Sequence, residues 1–134
     1  MTSSRAWGLG LLATLLVAGC GSDDGGPSGP VPGPLNVVLT SPNGDDGAVM
    51  FQVTGVVDSV VAPAGITLYQ SIPGPNVLRV IATGIAITSG SSLLTMYVPD
   101  VAKTSSYSVQ LMQVAAKATY AQRAVGGYGL KVQK

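Results

Sequence analysis

The chain of 134 residues has no histidine, no glutamate and one cysteine, Cys20. Ser-His-Asp and Cys-His catalytic sites need a histidine, and protein zinc sites are built on histidine and cysteine, so these classes are excluded. Pairs among Asp45, Asp46, Asp58 and Asp100 are the remaining basis for a hydrolase, but adjacent Asp45 and Asp46 would point to opposite sides of an extended chain. The sequence therefore predicts a protein that is not an enzyme and uses no cofactor.

Charged residues are scarce, at 10% of the chain. The bases that follow Cys20 are scattered singly, at Arg79, Lys103, Lys117, Arg123, Lys131 and Lys134. Nucleic-acid binding needs a clustered basic surface, so no nucleic-acid partner is expected.

Aromatic side chains are few, with one tryptophan, one phenylalanine and five tyrosines. Carbohydrate sites usually present exposed tryptophan, but Trp7 lies in the leader described below, so carbohydrate binding could rest only on tyrosines. Tyr120 and Tyr128 flank the C-terminal turn and are the best surface candidates for partner binding.

The N-terminal residues have the pattern of a signal peptide. Arg5 supplies the positive charge, residues 6–18 contain no charged side chain, and Ala18 and Gly19 are small. The apolar run is shorter than the about 20 residues needed to cross a bilayer. We expect residues 1–19 to be removed.

The stretch Leu16-Val17-Ala18-Gly19-Cys20 resembles the lipobox of bacterial lipoproteins, in which a signal peptidase cuts before a cysteine that is then acylated. The resemblance implies membrane anchoring through acyl chains such as palmitate on Cys20, and each buried methylene contributes about 0.8 kcal/mol. Gly21 stands where the family's inner-membrane retention signal has Asp. The expected location is the cell envelope, at the outer membrane, with the protein facing the periplasm or the exterior.

Residues 21–34, GSDDGGPSGPVPGP, contain five glycines and four prolines. Such a segment cannot bury enough apolar surface to offset its ordering entropy. Lipidated Cys20 and a flexible, disordered linker over 20–34 are therefore predicted to connect the membrane to the folded part.

From residue 35 onward, short β-forming runs alternate with Pro, Gly and Asn turn signals. Val49, Phe51 and Val53 would share one face of a half-buried strand. Runs 35–39 and 93–98 are apolar on both faces, as in central strands. We predict one all-β domain over 35–134, a small antiparallel β-sandwich of about eight short strands: 35–40, 48–54, 58–62, 66–70, 77–83, 92–98, 106–115 and 128–132.

Residues 115–123, AAKATYAQR, are the ambiguous part of the domain. Their composition favours a helical turn, whereas their continuity with the preceding run favours one long bent strand over 106–119 that leads into a final hairpin. Both alternatives remain open from sequence.

Three segments, GAVMFQVTG (47–55), NVLRVIATG (76–84) and ITSGSSLLTMYVPD (87–100), resemble strands of cohesin-like β-sandwiches. The resemblance implies a module that binds a protein partner through one sheet face and is not an enzyme. The segment 117–134 has no equivalent in that family, and no binding residue is carried over.

Asn43-Gly44-Asp45-Asp46-Gly47 combines three oxygen-bearing side chains with glycines, as calcium loops do. The spacing differs from the twelve-residue calcium loop, and Asn-Gly and Asp-Gly are strong hairpin signals. We predict a turn here and no metal site; Asn43, Asp45 and Asp46 are the residues that would ligate a metal in the alternative.

These features together predict a membrane-anchored envelope lipoprotein that acts as a non-catalytic binding or scaffolding module, with a protein partner in the envelope or at the cell surface. The alternative is a structural or assembly lipoprotein that pairs with another envelope protein by strand addition, since exposed strand edges accept a further strand.

Mass spectrometry of the native polypeptide tests the anchor. We expect the mature chain to begin at Cys20, with acyl chains adding to its mass, because the lipobox places cleavage and acylation at that residue. Retention of residues 1–19, or an unmodified thiol at Cys20, would contradict the assignment.

Overall fold

A computed structural model describes residues 29–134 of the chain. The predicted signal peptide, Cys20 and most of the predicted linker lie outside the described residues. Within 29–134, no helix is long and apolar enough to span a bilayer. The described part contains one turn of 3-10 helix, Thr104–Ser106, and nine strands: β1 Gly33–Thr40, β2 Asp46–Thr54, β3 Ser59–Val61, β4 Ile66–Gly74, β5 Val77–Ile87, β6 Ser92–Val98, β7 Ser108–Ala116, β8 Gln122–Arg123 and β9 Gly129–Gln133.

The strands form two antiparallel sheets, in the orders β3-β6-β1-β9 and β4-β5-β2-β7-β8. The predicted all-β sandwich is therefore confirmed, and each of the eight predicted runs corresponds to a strand. The ninth strand, β8, lies inside the ambiguous segment 115–123. Residues 115–116 end β7 and 117–121 connect it to β8, so the segment is part of a hairpin and contains no helix; the long strand predicted over 106–119 runs only from Ser108 to Ala116.

The core lies between the sheets and is built from alternate residues of each strand. Val49, Phe51 and Val53 of β2 are fully buried, as their spacing predicts. Each such side chain contributes about 1.5–3 kcal/mol by leaving water. Strands β1 and β6 are central in their sheet, as their mostly apolar runs predict, and the polar Asn36 and Thr95 pair with each other between them. A bulge between them turns both Leu93 and Leu94 inward.

Strand β1 begins at Gly33, so the last two residues of the predicted linker belong to the sheet. The chain is fixed slightly earlier still, because the Asp100 Oδ1 atom accepts hydrogen bonds from the backbone N–H of Val31 at 3.3 Å and of Ala102 at 3.0 Å. These bonds favour the charged carboxylate, that of Ala102 most, and lower the pKa of Asp100. The folded part is thus fastened where the predicted tether enters it.

The two ends of the sandwich are distinct. Strand β1 starts at one end, which we call the tether end, and the β1–β2 connection lies at the other, the far end. Strand β2 runs back between them, so its ends are separated by roughly 25 Å at the usual rise per residue. This separation decides which polar residues can meet.

Candidate functional site

The predicted metal candidates lie at the far end, in the connection between β1 and β2. Asp46 opens β2, and its side chain is completely buried. Its Oδ1 atom accepts hydrogen bonds from Arg123 Nη1 at 2.7 Å and from the Tyr128 hydroxyl at 2.8 Å. Its Oδ2 atom accepts one from the Ser41 hydroxyl at 2.6 Å. Both carboxylate oxygens are therefore satisfied by the protein itself.

The other two candidates join the same cluster. Asp45 Oδ1 lies 2.8 Å from Arg123 Nη2, and Asn43 Nδ2 donates to the Tyr128 hydroxyl at 2.7 Å. The pKa of Arg123 is raised, chiefly by its hydrogen bond to Asp45. Arg123 is therefore the cation that both carboxylates share, and adjacent Asp45 and Asp46 reach it together because Asp45 precedes the strand.

The remaining aspartates do not join this cluster. The backbone N–H of Asp58 bonds to Tyr97 at the tether end, and Asp100 holds Val31 there. The length of β2 separates them from Asp45 and Asp46. No group of three His, Cys, Asp or Glu side chains suited to a metal ion occurs within residues 29–134. The predicted turn therefore folds around an internal ion pair.

Tyr128, one of the two tyrosines predicted to bind a partner, belongs to this internal network. Tyr128 is half-buried, and its hydroxyl both donates to Asp46 and accepts from Asn43. Tyr128 and Asp46 are 82 residues apart in the sequence, and the fold brings them into contact. The structure gives Tyr128 a role in holding the turn that precedes β9.

Tyr120, the other predicted tyrosine, is 75% exposed in the β7–β8 turn. Its backbone is left-handed, with φ of 55°, and its N–H bonds to the Ala116 carbonyl at 3.0 Å. Its side chain borders a shallow groove of about 340 Å³ that is also lined by Ala48, Met50 and Gln113. The turn therefore presents the phenol ring at the rim of a sheet surface.

That surface, which we call the outer face, is the side of the five-stranded sheet turned away from the core. Cross-strand register places the following residues on it: Thr67, Tyr69 and Ser71 of β4, Arg79, Ile81 and Thr83 of β5, Ala48, Met50 and Gln52 of β2, Gln110, Gln113 and Ala115 of β7, and Gln122 of β8.

One row across the outer face runs Tyr69, Ile81, Met50 and Gln113, by successive cross-strand pairs. Tyr69 is 60% exposed at one end of this row, and Tyr120 borders the groove at the other. The sequence analysis preferred Tyr120 and Tyr128 and did not single out Tyr69 as exposed. The signal was its alternation with Leu68 in the predicted strand 66–70, but its place on the outer face depends on the sheet order.

Among the residues of the outer face, Arg79 alone is charged, and its Nη2 donates to Gln52 Oε1 at 3.3 Å. Four of the face residues are glutamines: Gln52, Gln110, Gln113 and Gln122. Each amide offers both donors and acceptors without a net charge. The outer face thus combines uncharged polar amides with apolar and aromatic side chains.

A second unusual feature is the free edge of β4. This strand pairs only with β5 and contains no charged side chain; its register is regular over residues 66–71, before the irregularity at Pro73. Beside it, between β4 and β3, lies an open groove of about 650 Å³ lined by Val60, Gln70 and Ile72 among others. Such an edge exposes unpaired backbone groups to another chain.

Comparison of the chain with protein families, curated proteins and solved structures finds no match.

The buried Asp46 cluster generates a stability prediction. Replacing Asp46 by Ala should lower the free energy of unfolding by about 3 kcal/mol, because Arg123, Tyr128 and Ser41 all lose a buried acceptor. The matched control is Asp45→Ala, whose side chain is 61% exposed and whose loss should cost below about 1 kcal/mol. Urea unfolding of the full-length variants measures both, and equal losses would contradict the assignment.

Proposed function

We propose that this protein is a non-catalytic binding module held at the outer membrane of a bacterial envelope through lipidated Cys20, and that the outer face of its five-stranded sheet is the binding surface. The observation that carries the binding role is the pairing of a nearly uncharged, glutamine-rich sheet face with exposed tyrosines at both ends. Binding through one sheet face is also what the resemblance to cohesin-like modules implies.

The arrangement of polar groups supports binding over catalysis. The carboxylates lie at opposite ends of the sandwich, and the buried one, Asp46, is committed to Arg123, Tyr128 and Ser41. A hydrolase of the two-carboxylate type needs its acids within several ångströms of one bond. By contrast, the outer face offers a continuous surface fixed by five hydrogen-bonded strands.

The outer face also presents preorganised contact groups. Tyr69 is carried by a strand, and Tyr120 by a turn whose backbone is hydrogen bonded on both sides, since Ala116 N–H bonds to Ala121 O and Tyr120 N–H to Ala116 O. Tyrosine gives large contact area at low cost in side-chain entropy. Groups that are already fixed lose less freedom on binding.

Capture of envelope material by the detergent-solubilised full chain tests this function. Tyr69→Thr removes one ring but keeps a strand-forming residue, and Tyr120→Asn removes the other but keeps a residue that tolerates left-handed backbone. Each should reduce the captured material about tenfold, as expected for losing roughly 1.4 kcal/mol of contact.

Tyr97→Thr is the matched control for capture. Tyr97 is 43% exposed on β6, in the opposite sheet, so its replacement removes a similar ring without altering the outer face. Normal capture by Tyr97→Thr together with weak capture by the other two variants supports the proposal. Equal capture by all three variants would contradict the proposal that the outer face is the binding surface.

Strand addition at β4 is the second candidate function, and the length and lack of charge of that edge favour it. The remaining edges are shorter: β3 has three residues, β8 has two, and β9 has five with Lys131 among them. Short strands and lysines are common protections of sheet edges. In this function, an extended segment of an envelope partner would pair with β4.

Gln70→Lys separates the two functions. Gln70 lines the groove beside β4 rather than the outer face, and a lysine there protects an edge against pairing. If β4 adds a partner strand, this variant should lose most of its capture of envelope protein while Tyr120→Asn retains it. The reverse pattern assigns binding to the outer face.

A further inference from the structure

We infer that the ligand of the outer face is an uncharged polysaccharide, bound along the row that joins Tyr69 to Tyr120. This inference rests on the proposed binding function and names the chemical class of its ligand. The argument comes from the hydrogen-bonding groups of the face, from its charge and from the positions of its two exposed rings.

The hydrogen-bonding groups match hydroxyls. A sugar hydroxyl both donates and accepts, and a glutamine amide does the same through its NH₂ and carbonyl groups. Four of the six glutamines in the chain, Gln52, Gln110, Gln113 and Gln122, lie on this one face, and the last three are exposed. Side chains that only donate or only accept would suit an ionic ligand better.

The charge of the face argues against an ionic ligand. Along the rows that cross β4, β5, β2 and β7, Arg79 is the only charged residue; its Nη2 donates to the neutral Gln52 amide, so the face carries one isolated positive charge rather than a charged patch. The acidic cluster at the far end is largely compensated internally, because Asp45 and Asp46 share Arg123 and only one negative charge is left in excess. Neither a strongly acidic nor a strongly basic polymer finds complementary charge here.

The rings set the shape of the ligand. Tyr69 lies on β4 and Gln113 on β7, three strands away, so the row between them spans about 14 Å at the usual strand spacing. Tyr120, in the turn that follows β7, borders the groove over Ile81, Met50 and Gln113. A ligand that uses the whole row crosses four strands, so a chain of several sugars fits it better than a single ring.

The middle of the row is suited to the apolar faces of sugar rings. Met50 and Ile81 lie between the tyrosines, and Ala48 and Ala115 border the groove with side chains small enough to leave it open. A chain of sugars alternates apolar ring faces with hydroxyl edges. The outer face offers apolar contacts along its centre and amides beside them.

Affinity electrophoresis of the full chain in non-ionic detergent tests this inference. The probes are a soluble β-glucan, a mannan and a dextran, each cast in the gel. We expect at least one of them to retard the protein, with about tenfold weaker binding for Tyr69→Thr and for Tyr120→Asn and unchanged binding for Tyr97→Thr. Retardation should also persist at high salt, because no ion pair contributes to it.

Two outcomes would overturn the inference: retardation by none of the three probes, or retardation that the tyrosine variants leave unchanged. Circular dichroism melting of each variant verifies that it is folded, so that weak binding reports the lost ring. If no polysaccharide binds but capture of envelope material still depends on Tyr69 and Tyr120, the ligand is a protein, and the proposed binding function stands without this inference.

Discussion

The burial of alternate side chains between two sheets is the constraint on which the rest of the structure depends. One side of β2 is buried in the core through Val49, Phe51 and Val53. Met50 and Gln52 therefore lie on the other side. A shift of one residue would exchange the two sides. The same alternation that makes the core therefore also determines the composition of the outer face, and function can vary there without disturbing the fold.

The buried charge of Asp46 links this core to the candidate site. Its partner Arg123 belongs to β8, only two residues long, which gains little stability from its own strand pairing. The ion pair holds β8 against the rest of the domain. Because Tyr120 lies in the connection between β7 and β8, the same ion pair also fixes the position of that connection. A cluster that sequence suggested for metal binding thus acts as a support for the exposed ring, because an arginine from a distant segment supplies the positive charge.

Features that depend on neighbouring residues could be predicted from the sequence, whereas contacts between distant residues could not. Alternation and turn residues are local, so the eight strand positions and the sandwich class could be predicted. Ser41 is a local partner of Asp46, but Arg123 and Tyr128 lie 77 and 82 residues away, and no local pattern connects them to it. The exposure of Tyr69 and the internal role of Tyr128 depend on strand order, which local sequence does not determine.

The position of the tether bears on which surface can meet a large ligand. Strand β1 starts at the tether end, so every strand runs between that end and the far end, and the outer face lies along the side of the sandwich. Tyr120 lies at the far end, beside the β1–β2 connection. The chain enters the sandwich through β1, in the sheet opposite the outer face and at the end opposite Tyr120. A ligand that extends beyond both tyrosines is compatible with this geometry, because the chain that leads back to Cys20 starts from the other sheet.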